Sequence, residues 1–351
     1  MQVVTTDFVK NKKVLLRYDI DVALEAGKIV EDFKLKAGLD TLKLCLENAS
    51  KVIIIGHLGR PFKTAEDEKK SLPAGRQRNP QDLSAKPIQV WFELLGGETR
   101  VDFAKTLEEA DQSSNKIVLL ENIRFFHGEV EGDVDFAKQL ASLGEVYVNE
   151  AFSAHNPAAS TTIVPTLLPH DAGLHFAEEV RVLREVRENP KKPFVAIIGG
   201  AKVKDKLPVI NVLAKKADAV LVGGKLVAEI REQNVQLPNN VMVGKLNEDG
   251  FDISPDTTES WRSLIMKAAM IVWNGPLGKF EDSKYNQTEV VARMILDSGG
   301  EIVIGGGDSV AALNQYGLLE KAQDVGFVSV GGGAMLKLLS DGTLPTIEAL
   351  N

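Results

Sequence analysis

Short apolar runs alternate with amphipathic helical patterns along almost the whole sequence. The runs are rich in Val, Ile and Leu and read KVLLRYDI, KVIIIGH, KIVLLEN, EVYVNEAF, PFVAIIGG, DAVLVGG, AMIVWNG, EIVIGGG and FVSVGGG. Between them, apolar residues recur at helical spacing, as in AGLDTLKLCLENAS, DVDFAKQLASLG, LPVINVLAKKA, TESWRSLIMKAA and YNQTEVVARMILDSG. A strand that is apolar along its length is buried on both faces, which is typical of a parallel sheet covered by helices. The sequence therefore predicts an α/β fold with doubly wound parallel sheets.

The chain is long enough for two domains. It has 351 residues, whereas one domain usually takes ~150 residues. The segment PTLLPHDAGLHFAEEVRVLREVRENPKKP passes from a Pro-rich turn into one helix, about 174–188, and leaves it through Pro190 and Pro193. We predict a first domain over 1–170, a connecting helix within 171–190 that suits a hinge, and a second domain over 191–339.

Charge and composition exclude several classes of function. The formal net charge is −8, and binding to nucleic acid or to an anionic membrane surface would need a basic excess. No apolar run approaches the ~18 to 20 residues of a membrane span, and the opening residues lack an apolar signal segment. We therefore expect a cytoplasmic protein without nucleic-acid or membrane partners. One cysteine allows neither an intrachain disulfide nor a cysteine zinc cluster, and the five histidines form no HExxH pair.

Two other features are interpreted as structural. Cys45 lies at helical spacing with Leu42 and Leu46, which predicts a core position. The stretch FKTAEDEKKSLPAGRQRNPQ, at 62–81, is polar and contains Pro and Gly, so we predict a solvated surface loop there.

Four apolar runs in the second half of the chain end in glycine pairs or triplets. In open parallel sheets, ligands bind beyond the carboxyl ends of the strands, where helix N-termini present free N–H groups. Glycine lets the backbone approach a phosphate closely. The glycines either hold phosphates or only form tight turns between strand and helix, and their recurrence favours phosphates.

The common phosphate-binding signatures are nevertheless absent. No GxxxxGK[ST], GxGxxG or protein-kinase motif occurs. Lys202 and Lys206 are four residues apart after Gly199 and Gly200, which predicts two ammonium groups on one helix face near a phosphate, or else a solvated lysine face. Asp308 after the GGG triplet is either a Mg²⁺ ligand or an N-cap.

At this point eight segments resemble phosphoglycerate kinases, in that family's order and over nearly the whole chain. They are RYDIDV, GHLGRP, LLENIRF, VNEAFSAH, IIGGAKVKDKL, IVWNGPLGKFE, IGGGDS and VSVGGGA. The resemblance implies two Rossmann-like domains joined by a helix, with the C-terminal tail, 340–351, packed on the N-terminal domain. It also implies reversible Mg-dependent phosphoryl transfer from 1,3-bisphosphoglycerate to ADP, giving 3-phosphoglycerate and ATP. Both nucleophiles are anions, so no general base is needed, and catalysis reduces to positioning and charge neutralisation.

The resemblance also implies site residues. The N-terminal domain would bind the triose through Asp19, Asp21, Lys34, His57, Arg60, Arg124, His155 and Asn156. The C-terminal domain would bind ADP or ATP through Lys202, Lys206, Gly223, Gly224, Asn274, Pro276, Glu281, Gly305, Gly306, Gly307, Asp308 and Ser309, with the 331–333 glycines beside them. Catalytic roles would fall to Lys34, Lys202, Gly306 and Gly332, Asp308 would hold Mg²⁺, and Glu281 would take the ribose. We also expect a monomer.

Elementary chemistry agrees with part of this set. Arg60 and Arg124 follow apolar strands in an acidic protein, where a guanidinium can grip a carboxylate or phosphate bidentately. Without the family, each could equally form an ion pair with a nearby carboxylate of the protein.

Several positions depart from the family pattern. Lys34 stands where the family has an arginine, and Asn156 stands where another arginine is usual, so two guanidinium groups are missing from the triose pocket. Lys225 replaces a glycine, Ser254 lies in an altered motif, and the region after Ile230 is short, all near the expected adenine pocket. Losing one charge-assisted contact costs about 1.5 to 3 kcal/mol, so two losses predict triose binding weaker by roughly a few powers of ten unless neighbours such as His155 or Lys36 compensate.

Three hypotheses therefore stand. The first is an active phosphoglycerate kinase. The second is a kinase for another acyl phosphate, suggested by Lys34 and Asn156. The third is a nucleotide-binding protein with little turnover, against which the intact Lys202, Lys206 and Asp308 argue.

Overall fold

The structure, a computed structural model, describes residues 1–61, 83–95 and 100–351. It divides into two compact units, one formed by Met1–Glu178 with Leu344–Asn351 and the other by Glu179–Thr343. The surface loop predicted at 62–81 lies outside the described residues. Within the described part of the chain, no helix is long and apolar enough to cross a membrane.

The first unit is built on a six-stranded parallel sheet. Its strands and one small antiparallel hairpin (β2 and β3) are β1 Lys13–Arg17, β2 Leu24–Glu25, β3 Lys28–Ile29, β4 Lys51–Ile55, β5 Val101–Ala104, β6 Ile117–Leu120, β7 Val146–Asn149 and β8 His170–Ala172. The order across the sheet is β5-β6-β4-β1-β7-β8. The chain builds outward from β1 on one side through β4 and on the other through β7, so the strand order reverses beside β1.

Helices flank this sheet. They are α1 Thr6–Val9, α2 Phe33–Ala37, α3 Leu39–Asn48, α4 Lys86–Leu95, α5 Leu107–Gln112, α6 His127–Glu131, α7 Val134–Ala141 and α8 Val164–Leu167, with α9 Leu174–Glu188 at the boundary with the second unit. A 3₁₀ turn covers Ile123–Phe125, and a π-helical turn covers Ala159–Ile163. The predicted helix at about 174–188 is confirmed as α9. The buried Cys45 on α3 confirms its predicted core position.

The second unit repeats the plan with a second six-stranded parallel sheet. Its strands are β9 Phe194–Ile198, β10 Ala219–Val222, β11 Val241–Val243, β12 Met270–Asn274, β13 Glu301–Gly305 and β14 Phe327–Ser329. The order is β11-β10-β9-β12-β13-β14, in which the strand order reverses between β9 and β12. Ligands in open parallel sheets bind at such a reversal, beyond the carboxyl ends of the strands.

Seven further helices lie wholly within 179–343. They are α10 Val203–Ala214, α11 Leu226–Glu232, α12 Pro255–Met266, α13 Gln287–Asp297, α14 Gly307–Gln315, α15 Leu319–Val325 and α16 Gly332–Asp341. The last helix of the chain, α17 Pro345–Glu348, belongs to the first unit and contacts the Ala159–Ile163 turn.

Burial explains why these segments form these strands. Every residue of β4, β6, β7, β9, β10 and β12 is buried, as expected for strands covered by helices on both faces. The prediction of two doubly wound parallel sheets is confirmed.

Candidate active site

The first unit contains a cavity of about 600 Å³ at the carboxyl ends of its central strands. Arg17 is the last residue of β1, His57 follows β4, Arg124 follows β6, and the segment 153–158 follows β7. All of them line the cavity. Of the predicted triose residues, the lining includes Asp21, His57, Arg60, Arg124, His155 and Asn156. Asp19 and Lys34 lie outside the described lining.

Arg17 is a site residue that sequence reasoning missed. Its side chain is 1% exposed, and its guanidinium donates to Ser160 Oγ at 3.1 Å, to the Tyr18 carbonyl at 2.9 Å and to His57 Nδ1 at 2.7 Å. The only sequence signal for this buried charge is weak: Arg17 is the last residue of a strand that is otherwise largely apolar.

His57 sits among positive charges. Burial and then the charge of Arg17 lower the pKa of His57 well below its ordinary value, and Arg124, Lys34 and Arg60 act in the same direction. A guanidinium has no acceptor atom, so the 2.7 Å contact requires a lone pair on His57 Nδ1. His57 is therefore neutral with its proton on Nε2, which lies 3.8 Å from Asp21 Oδ2.

Arg124 and Asp21 are both fixed to the backbone of Gly59. Arg124 Nη1 donates to the Gly59 carbonyl at 2.6 Å, and the Gly59 amide donates to Asp21 Oδ1 at 2.8 Å. Burial and then Arg17 lower the pKa of Arg124. The contact with Gly59 occupies Nη1 of Arg124, and the guanidinium also lines the cavity.

Lys34 lies close to the two predicted triose aspartates. Its burial acts to lower the pKa of its ammonium, but the charges of Asp19, Asp21 and Glu31 raise the pKa above the ordinary value, so Lys34 stays charged. Asp19 is 4% exposed, and its Oδ2 has no hydrogen-bond partner among the described residues.

His155 and Asn156, in the segment that follows β7, contribute different groups to the cavity lining. His155 Nδ1 lies 2.9 Å from the Ser153 carbonyl, so Nδ1 carries a proton and donates to that carbonyl. The Asn156 carbonyl accepts from Thr161 Oγ1 at 2.9 Å, which leaves the side-chain amide at the lining.

In the second unit, the glycine corners meet where the strand order reverses. The Gly200 amide donates to the Pro276 carbonyl at 2.7 Å, and the Gly224 amide donates to the Leu277 carbonyl at 3.0 Å. The Gly223 amide likewise donates to the Ile198 carbonyl at 3.0 Å. The amides at these corners are therefore used within the protein, and Gly223 and Gly224 contribute close packing rather than free N–H donors.

The other two corners are different, because each begins a helix. Gly306, at φ 109°, precedes α14, and Gly331 precedes α16. A Cβ on Gly332 would collide with the Cα of Gly306, so α14 and α16 begin side by side. The first amides of a helix have no acceptor within it, and two such N-termini together form a site for an anion.

Lys206 points toward this region. Its ammonium donates to the side-chain carbonyl of Asn274, the last residue of β12. Burial lowers the pKa of Lys206 to about 8, although the charges of Asp308 and Asp205 oppose the shift. The same strand end is tied to α14, because Ser309 Oγ accepts from the Gly275 amide at 2.7 Å.

The structure places Lys202 differently from the prediction. We expected Lys202 and Lys206 on one helix face, but α10 begins at Val203, and Lys202 precedes it with φ 68°. For a residue other than glycine, this left-handed backbone conformation costs about 1 kcal/mol or more. The amides of Lys202 and Val203 donate to Glu229 at 3.0 and 2.8 Å.

Glu281 and Asp308 are both exposed. Burial raises the pKa of Tyr316 to about 12, and the charges of Glu289, Asp252 and Glu281 act in the same direction. In the described ranges, no group of three or more His, Cys, Asp or Glu side chains is arranged to hold a metal ion. A Mg²⁺ ion that takes most of its ligands from phosphate and water needs only one or two carboxylates, and Asp308 in the first turn of α14 offers one.

The family model described as Phosphoglycerate kinase matches residues 4–245 and 226–342. Curated proteins named phosphoglycerate kinase are similar over 97% of this chain and 96% of their own length. They include those of Coprothermobacter proteolyticus at 34% identity, Dictyoglomus turgidum at 35% and Desulfovibrio desulfuricans at 36%.

Solved structures agree with the sequence matches. A phosphoglycerate kinase from Coxiella burnetii has a TM-score of 0.77 and 28% identity, covering 97% of this chain and 96% of that one. A phosphoglycerate kinase from Pyrococcus horikoshii has a TM-score of 0.80 and 26% identity, covering 100% of this chain and 98% of that one.

Proposed function

The chain belongs to the phosphoglycerate kinase family, and we propose from this membership and from the geometry above which of its residues perform the phosphoryl transfer. The family's enzymes are phosphotransferases that move a phosphoryl group reversibly between 1,3-bisphosphoglycerate and ADP, giving 3-phosphoglycerate and ATP. The reaction needs positioned cations and amides rather than a proton carrier. The assignment of each residue below is our proposal.

The cavity of the first unit binds the phosphorylated three-carbon acid. The observation that carries this proposal is the convergence of Arg17, Arg60 and Arg124 on one 600 Å³ cavity. Guanidinium groups bind carboxylate and phosphate oxygens through charge-assisted hydrogen bonds. The neutral His57 adds a donor at Nε2, and Asp21 offers an acceptor to a substrate hydroxyl.

Lys34 and Asn156 alter this cavity without removing its charge. Lys34 stays protonated beside Asp19 and Asp21, so it supplies a point charge where an arginine would supply a fork. The buried Arg17 guanidinium supports binding of an anion despite the asparagine at 156. We propose that triose affinity is retained through Arg17, Arg60 and Arg124.

The two glycine corners that begin α14 and α16 bind the nucleotide phosphates. The paired N-termini of α14 and α16 supply free amides, and Lys206 supplies a charge next to Asn274. Lys202, held before α10, is free to reach the transferring phosphoryl group.

Asp308 fits a magnesium ion that arrives with the nucleotide. It is exposed in the first turn of α14, and its charge acts on Lys206. When bound, Mg²⁺ would neutralise charge on the nucleotide phosphates. Lys206 and the amides at the starts of α14 and α16 would hold the nucleotide phosphates. A monomeric state and a cytoplasmic location remain predictions from the sequence.

A coupled spectrophotometric assay with 3-phosphoglycerate and MgATP tests the function. We expect saturable turnover with a KM in the ordinary micromolar to millimolar range. Nucleotide binding without turnover would instead indicate a binding protein. Turnover only with another carboxylic acid would indicate a kinase for a different acyl phosphate, with Lys34 and Asn156 as the residues to exchange.

A further inference from the structure

We propose that Glu129 and Ser160 are positioning residues of the first-unit site, which act through Arg17 to fix the Nε2-protonated form of His57. The inference rests on the proposed function of the cavity as the triose site. Neither residue was predicted from the sequence, and both are buried, at 2% and 0% exposure. They belong to a hydrogen-bond chain that starts at a carboxylate and ends at the cavity.

The hydrogen-bond chain starts at Glu129 on α6. Its carboxylate accepts from the Ser160 amide at 2.9 Å and from the Ser160 hydroxyl at 2.6 Å. The Ser160 hydroxyl is the donor in the second contact, so its proton is committed to Glu129. The lone pairs of Ser160 Oγ must then face another donor.

That donor is Arg17. Its Nε lies 3.1 Å from Ser160 Oγ, and its Nη1 donates to the Tyr18 carbonyl at 2.9 Å. With these two contacts the guanidinium plane is fixed. The remaining nitrogen, Nη2, is aimed at His57 Nδ1 at 2.7 Å.

The direction of each bond follows from the one before it. Because Arg17 donates to His57 Nδ1, the ring proton must be on Nε2. His57 Nε2 is 3.8 Å from Asp21 Oδ2, too far for a hydrogen bond. The Nε2–H group therefore remains available in the cavity as a donor to a substrate carboxylate or phosphate oxygen.

A serine between the two charges has a physical consequence. No direct contact between Arg17 and a carboxylate is present among the described residues, and the hydroxyl of Ser160 separates the guanidinium from Glu129. A direct bidentate pair would neutralise Arg17 before a ligand arrives. The indirect link orients the guanidinium while leaving more of its charge for the substrate. The Tyr147 hydroxyl donates to the Ser160 backbone carbonyl at 2.8 Å and so helps to fix the backbone of Ser160.

The first test observes the unsubstituted protein. In the full-length protein labelled with ¹⁵N-histidine, a long-range ¹H–¹⁵N correlation spectrum near about pH 7 identifies the ring tautomer, and comparison with His57→Gln assigns the signal. We expect the Nε2-protonated neutral form for His57. A proton on Nδ1 would overturn the proposal, whatever the activity of the enzyme.

The second test uses Ser160→Ala and Glu129→Gln. We expect loss of the single tautomer in both, together with a KM for 3-phosphoglycerate raised roughly tenfold or more and a smaller change in kcat. Ser113→Ala is the matched control, since Ser113 also donates to a carboxylate, that of Asp102, at 2.7 Å, but outside the cavity lining. An unchanged tautomer and KM in both folded variants would refute the positioning role. If wild-type enzyme does not turn over 3-phosphoglycerate, the proposed function fails, and the tautomer spectra still decide this inference.

Discussion

The carboxylate of Glu229 accepts a 2.8 Å hydrogen bond from the backbone amide of Val203, at the start of α10. Its other oxygen accepts from the Lys202 amide at 3.0 Å. Amides at a helix N-terminus favour an anion, and here a side chain of the protein supplies it. Glu229 thus places a negative charge beside Lys202, in the region proposed for the nucleotide phosphates.

Replacing Glu229 by Gln should tighten nucleotide binding. The change removes a negative charge that repels phosphate but keeps a side-chain carbonyl for one of the two amides. We expect the Kd for ADP, measured by isothermal titration calorimetry, to fall roughly threefold to tenfold at low salt, with a smaller change at high salt. Glu232→Gln on the same helix, α11, is exposed and should leave the Kd unchanged. Weaker ADP binding in Glu229→Gln would mean that Glu229 only caps α10.

Lys202→Ala should lower kcat strongly. Lys202 precedes α10 with a strained backbone, φ 68°, and we propose that its ammonium contacts the transferring phosphoryl group. Removing one preorganised electrostatic contact costs on the order of 10²-fold in kcat. Steady-state kinetics should show this loss, whereas Lys204→Ala, on the exposed face of α10, should retain kcat within about threefold. An unchanged kcat in Lys202→Ala would remove Lys202 from the mechanism.

Nucleotide affinity should fall above about pH 8 because of Lys206. Burial lowers its pKa to about 8, so the free protein loses this ammonium as the pH rises through that value. Phosphate binds the protonated form, which means that binding takes up a proton and weakens with rising pH. Lys206→Arg keeps its charge at every accessible pH and should flatten the dependence of the ADP Kd. A wild-type Kd that is constant across this range would contradict the assignment.

Glu150 should make the first unit less stable as the pH rises toward neutrality. It is 2% exposed and accepts from the His175 and Phe176 amides at 3.1 and 3.2 Å. Burial raises the pKa of Glu150 from 4.5 to about 7, although the charge of His175 and these hydrogen bonds oppose the shift. The folded state therefore binds the proton more tightly than the unfolded state. Its stabilising effect is present in full below about pH 4.5 and is lost by about pH 7.

The variant Glu150→Gln isolates this effect. Relative to wild type, its free energy of unfolding should rise by about 3 kcal/mol between about pH 4.5 and pH 8, since each pH unit of the shift corresponds to about 1.4 kcal/mol. Denaturant titrations at several pH values measure the difference. Glu47→Gln, on the exposed face of α3, should show a flat difference. A flat difference for Glu150→Gln would mean that Glu150 titrates at an ordinary pKa.

The interior strands could be predicted, and most edge strands could not. β1, β4, β6, β7, β9, β10, β12 and β13 are apolar over nearly their whole length because helices cover both faces of the sheets. The missed strands β5, β8 and β11 are at sheet edges and read VDFA, HDA and VMV. Strands of three or four residues are too short to show a clear period, and β5 and β8 also contain polar residues. Only pairing with a neighbour defines such strands.

The site shows the same division. Arg60, Arg124 and Asp308 follow strand ends or glycines, and local pattern was enough to propose them, whereas His57 was proposed only from the family resemblance. Arg17 and Ser160 are 143 residues apart, and Glu129 is 31 residues from Ser160. Nothing within a short window of sequence indicates that these three side chains touch.

By itself, the sequence determined the two parallel-sheet units, the strands at their centres, the helix at 174–188 and the glycine corners, because each depends on apolar period or on the conformational freedom of nearby residues. Only the tertiary structure decided which corners keep free amides, where Lys202 stands relative to α10, and how Glu129 and Ser160 reach His57. Those outcomes depend on hydrogen bonds between distant segments. A donor's partner is chosen by the packing of the whole sheet, and no local pattern encodes it.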